Sequence, residues 1–111
     1  MIPRSMLYAR FMKDPVPARL GAIASDLTRL SGLTKIDLVN EPLFQSVLNE
    51  IKFFTEWAAG DLSLDIQEKL LELQRTLAGW TDPPLHDRPS SVEREAPKWS
   101  EEILSMSGLL I

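Results

Sequence analysis

The chain has 111 residues, 44% hydrophobic and 25% charged, the values of an ordinary globular domain with material for one core rather than two. Its formal net charge is −4, with nine basic and ten acidic residues up to Trp80 and three and six beyond it, so neither part offers the basic face that a nucleic-acid binder turns to phosphates. With no cysteine there is no disulfide, thiol nucleophile or thiolate metal site, and no apolar run approaches the roughly 20 residues of a membrane span. The start, residues 1–10, lacks the apolar centre of a signal peptide, so the expectation is a soluble, cytoplasmic protein engaging neither nucleic acid nor membrane.

Ser5 is placed to cap a short first helix over 6–13, with Leu7, Tyr8 and Phe11 on its apolar side. Asp14-Pro15-Val16-Pro17 then restarts the chain, because aspartate caps well and a proline in the first helical turn loses no intrahelical hydrogen bond. The second helix carries Val16, Leu20, Ile23, Leu27 and Leu30 at alternating steps of three and four. It should end near Leu30 with Gly32 as its stop, and Gly21 weakens it by about 1 kcal/mol relative to alanine.

Asn40-Glu41-Pro42 is the clearest helix start in the chain, joining a capping side chain, an acid near the positive end of the dipole and an early proline. The third helix should reach Ala59, with Gly60 ending it, and its stripe is Phe44, Val47, Ile51, Phe54 and Ala58. Asp61 or Ser63 caps a fourth, with Ile66, Leu70, Leu73, Leu77 and Trp80 as its stripe and Gly79 at its end. The connections are short, which predicts antiparallel neighbours.

Composition changes at Thr81, beyond which lie Pro83, Pro84, Pro89 and Pro97, half of all the prolines. Residues 81–98 read as a proline-rich linker that cannot form one long helix, although Ser90 and Glu93 have capping-box spacing for a turn or two. An amphipathic segment over 99–111 follows, with Trp99, Ile103, Met106 and Leu110 on one side and Ser100 as its cap. The expected organisation is an all-α antiparallel helical bundle over 1–80, the linker, and a C-terminal segment that packs on the bundle or on a partner.

No catalytic pattern emerges. His86 is the only imidazole and lies in the proline-rich stretch, where nothing holds a general base in place. Asp61, Asp65, Glu68 and Glu72 run along one helix with Lys69 among them, the pattern of a solvated face with local ion pairs. There is no phosphate-cradling glycine loop, zinc-protease helix or nucleophile elbow. The expectation is no enzyme, no cofactor and no metal.

The aromatic residues carry more information. At about 100° per residue, Phe44, Val47, Leu48, Ile51, Phe54 and Ala58 make one arc extended by Leu43 and Trp57, while Phe53 falls outside it and shares an edge with Trp57. Either the N-terminal helix or another helix covers that edge, or the edge is a groove for a partner's helix or peptide, since Trp and Phe are common anchors there. Trp99, Ile103, Met106 and Leu110 have the spacing of a segment that lays one side into a groove, on its own bundle, on a second copy or on another protein. The candidate protein-binding residues are therefore Phe44, Phe53, Trp57, Trp99, Ile103, Met106 and Leu110.

Several strings resemble a family as a set: Leu7-Tyr8-Ala9-Arg10-Phe11-Met12, Val16-Pro17-Ala18-Arg19-Leu20-Gly21, Lys52-Phe53-Phe54-Thr55-Glu56-Trp57, Trp99-Ser100 and Met106-Ser107-Gly108-Leu109-Leu110. The set is similar to small all-helical cyanobacterial proteins of assembly-factor type, among them the carboxysome shell assembly chaperones, across nearly the whole chain. The resemblance implies a helper in carboxysome or photosynthetic complex assembly, and no site residue follows from it. The expected function is a protein-binding adaptor or assembly chaperone that takes up a partner's helix or peptide. The alternative is a structural homodimer that exchanges its C-terminal tails and has no client.

Overall fold

A computed structural model describes residues 3–34, 41–81 and 88–107. They form five helices: α1 (Arg4–Lys13), α2 (Val16–Thr34), α3 (Glu41–Ala59), α4 (Leu64–Thr81) and α5 (Arg88–Ser107). Packing runs α2 on α5, α2 on α3, α3 on α4, α4 on α5 and α1 on α3, with the α2–α5 contact the most extensive.

The core is built from the three stripes. Leu20, Ile23, Leu27 and Leu30 of α2, Phe44, Val47, Ile51, Phe54 and Ala58 of α3, and Leu70, Leu73, Leu77 and Trp80 of α4 are all buried, while Val16 and Ile66 pack against them half-buried. Each helix thus presents an apolar arc that only a neighbouring helix can cover.

Several boundaries differ from expectation. α1 starts at Arg4, with Pro3 in the capping position and no side-chain cap bond, so Ser5 lies inside the helix. α2 continues through Gly32 to Thr34, and α4 holds Gly79 inside its last turns. A Cβ at either glycine would meet nothing within 4 Å, so neither is there for close packing. Each costs its helix only about a kilocalorie, which the burial of Leu30 or of Leu77 and Trp80 in the same turns exceeds. Asp61 meets Arg19 rather than serving only the start of α4.

The larger correction is α5. Residues 88–98 are helical and continuous with 99–107, so the proline-rich stretch is not a linker throughout; residues 82–87, with His86, lie outside the described residues, as do Asn40 and Leu110. Pro97 sits inside the helix. Its ring removes one N–H and crowds the carbonyl of Glu93. Both Glu93 and Pro97 face solvent, where water can satisfy that carbonyl. Pro89, one residue into the helix, falls where the N–H has no intrahelical partner to lose.

The buried side of α5 is also not the stripe expected. Val92, Ala96, Ser100, Ile103 and Ser107 are buried, with Trp99 and Met106 packed half-buried beside them. Ser100 is an interior residue of α5 rather than a cap. Facing it, α2 contributes Ala24 and Ser31, both buried, and small side chains on both helices let the two backbones approach closely. An ion pair between Lys69 and Glu102, 2.9 Å apart, adds a link from α4 to α5.

Candidate functional site

One end of the molecule gathers five of the eight aromatic side chains. The α3 register supplies Phe53, Phe54 and Trp57, and α1 brings Tyr8 and Phe11. Phe11 stacks on Phe54 with ring centroids 4.3 Å apart, and Tyr8 meets Trp57 edge-on at 5.1 Å. Phe53 and Trp57, one turn apart, stack at 5.6 Å. The Arg4 guanidinium lies over the Phe53 ring, 4.4 Å from its centroid, a cation–π contact that costs the cation little hydration at an open edge.

The edge predicted around Phe53 and Trp57 is therefore covered by the N-terminal helix, but only in part. Phe53 and Trp57 remain half-buried and Tyr8 is exposed. On one side of α1 lies a cleft of about 590 Å³, lined by Arg4, Leu7, Pro42, Gln45, Ser46, Asn49, Glu50 and Phe53. Adjoining it, with Leu7 and Glu50 in common, lies a second of about 500 Å³, bounded also by Arg10, Lys13 and Asp14. α1 thus forms a narrow ridge beside two adjoining hollows.

The remaining predicted site residues separate. Phe44 and Ile103 are 1% and 0% exposed and belong to the core, so the monomer does not offer them to a partner. Trp99 and Met106 are half-buried beside the α2–α5 contact and pack against the same core. They do not join the aromatic cluster: their helix packs on α2 and α4. Sequence reasoning placed Tyr8 and Phe11 on an apolar side and named the N-terminal helix as one cover for the α3 edge, without pairing those two residues with particular rings of α3. It missed Arg4 altogether, which sits four residues before Tyr8 and seven before Phe11, on the same face of α1.

It also missed Asp26. This carboxyl on α2 is 8% exposed, and its Oδ2 has no hydrogen-bond partner among the described residues. Burial pushes its pKa up from 3.8 to about 8, a hydrogen bond from and the like charge of Glu50 on α3 push it further the same way, and only Arg29 opposes. At neutral pH the two carboxyls accordingly hold a proton, with Asp26 neutral. A signal was available: Asp26 falls three residues after Ile23 and four before Leu30, inside the apolar arc of its own helix.

Arg19 fixes the other end of the ridge. Its guanidinium donates to the Met12 carbonyl at 2.9 Å, to the Asp14 carbonyl at 2.8 Å and to Asp61 Oδ2 at 2.7 Å. The first two are carbonyls at the end of α1 that the helix itself leaves without partners. The third belongs to the turn after α3, where Gln67 Nε2 also donates to the Ala59 carbonyl at 2.7 Å and the Leu62 carbonyl at 3.0 Å.

Among the described residues, no group of three or more His, Asp or Glu side chains is placed to hold a metal ion, and no helix is long and apolar enough to cross a membrane. Of the carboxylates singled out on α4, Glu72 pairs with Lys69 at 3.7 Å and Asp65 and Glu68 face solvent. No family model matches this chain, and no curated protein or solved structure matches it.

Proposed function

We propose that the protein is a non-enzymatic binding module, an adaptor or assembly chaperone, that takes up a helix or peptide of another protein at the α1–α3 edge of an antiparallel helical bundle. The observation behind this reading is Phe53, left half-buried in the wall of a cleft of about 590 Å³, with the half-buried Trp57 stacked against it. Large rigid rings beside a hollow give a partner much contact area for little loss of conformational freedom. A carboxysome or photosynthetic client remains the suggestion of the sequence resemblance alone.

The exchanged-tail homodimer receives less support. α5 lies against α2 of its own chain, with its small buried residues matched to Ala24 and Ser31.

A peptide-display selection against the full-length protein tests the binding reading. Enriched peptides should be amphipathic and should lose binding to Phe53→Ala, a variant at a half-buried edge that leaves the core intact. Selection of nothing, or of peptides that bind the folded variant equally well, overturns it.

A further inference from the structure

We propose that α1 is a displaceable stand-in for the partner, and that the α3 face of Phe53, Phe54 and Trp57 takes an amphipathic helix bearing a basic residue with aromatic residues four and seven positions later. The inference rests on the binding reading above and supplies the chemistry of the partner. That chemistry is read from the segment seated on the face: Arg4 over Phe53, Tyr8 against Trp57 and Phe11 against Phe54 follow the i, i+4, i+7 spacing of one helical side.

Charge points the same way. α1 carries Arg4, Arg10 and Lys13 and no acid, on a chain of formal net charge −4. Glu50 lines both of the hollows beside it. A basic helix is the kind this surface attracts, and the contacts that hold α1 would serve an incoming helix of the same pattern.

α1 is also weakly held as a helix. At 10 residues it is shorter than a helix that stands alone in water. Pro3 caps it without a side-chain bond, its first turn has no acid to meet the dipole, and Phe11 is its one buried residue. Its firm attachment is at the C-terminal end, where Arg19 grips the Met12 and Asp14 carbonyls. The helix can therefore lift from Phe53, Phe54 and Trp57 while its last carbonyls stay tethered, and the adjoining hollows give an entering helix room to start.

The experiment titrates a fluorescein-labelled peptide spanning residues 3–14 with full-length wild type, Phe11→Ala and the double variant Phe11→Ala/Phe53→Ala, each checked for helical content by circular dichroism. Removing the buried anchor frees the face, so Phe11→Ala should bind the peptide at least tenfold more tightly than wild type, and the double variant should lose that gain. Tyr8→Ala, at an exposed position, should give a smaller gain and stands in if Phe11→Ala does not fold. Equal affinity for wild type and the folded variants, no binding to any of them, or sedimentation of Phe11→Ala as a dimer that leaves no site for the peptide each overturns the inference. The display selection decides the broader binding reading independently, because its peptides need not share the α1 pattern.

Discussion

The Ser100 hydroxyl donates to the Ala24 carbonyl oxygen at 2.9 Å, across the contact between α5 and α2. Having spent its proton there, Ser100 Oγ accepts from Thr28 Oγ1, also at 2.9 Å. One small side chain thus ties two turns of α2 to α5 at a place where both backbones are close.

Ser100→Ala should lower stability by about 1 kcal/mol, the net worth of the buried hydrogen bond to the Ala24 carbonyl, since the exposed Thr28 hydroxyl turns to water. Ser100→Leu should cost several times more, because the extra methylenes have no space between Ala24 and α5. Urea midpoints of the two variants check this, and a leucine variant as stable as wild type would mean that the helices are not closely apposed.

Arg19→Ala removes three hydrogen bonds at once from a guanidinium that is 11% exposed. The expected loss is about 2 kcal/mol, given the exposure of Asp61, with faster amide exchange concentrated in residues 8–14. Arg19→Lys should behave nearly as badly, since an ammonium cannot span the three acceptors. Exchange spread evenly over all helices would show that Arg19 does not anchor α1 in particular.

Asp26 makes stability depend on pH in a defined direction. Its folded value of about 8 lies above the unfolded 3.8, so between these the native state holds a proton that the unfolded chain has released. Its contribution is complete below about pH 4, declines as pH rises, by up to about 1.4 kcal/mol per unit, and is gone above about pH 8. Asp26→Asn keeps a neutral side chain beside Glu50 and should flatten this decline. Urea midpoints at pH 5, 6.5 and 8 for both proteins give the comparison, and parallel slopes would remove Asp26 as their source.

Gly32→Ala and Gly79→Ala should each stabilise the protein by about 0.5 kcal/mol, because both positions are helical and a methyl group at either meets nothing within 4 Å. Thermal melts of the single and double variants suffice, and a drop in either single variant contradicts the helical assignment there.

The three stripes of α2, α3 and α4 were legible because a spacing of three and four repeats over five residues in each, and a stripe that long has few other meanings. The glycines misled: Gly32 and Gly79 carry the local signal of a stop, yet leucines and a tryptophan packed in the same turns carry the helix past them. α5 was misread for a related reason. Local chemistry at Pro97 argues against a helix, while the burial of Val92 and Ala96 on one side and Ile103 on the other holds the chain helical through it. The aromatic cluster was half visible. Phe53 and Trp57 stood out on their own helix, but their pairing with Arg4, Tyr8 and Phe11 depends on how α1 crosses α3, a tertiary fact that no spacing within one helix encodes. Asp26 was visible by its place in the apolar arc of α2, but its pairing with Glu50 was hidden by the same gap, since it exists only where the two helices meet.

Pro97 leaves α5 with a missing rung in its backbone ladder, so cooperativity along the helix does not pass through that point as it does elsewhere. The two halves are held in line mainly by α2, which acts as a splint beneath them. Fraying that begins at the chain's C-terminal side meets a natural firebreak there, and the stretch around Val92 can stay docked after the stretch around Ser107 has let go.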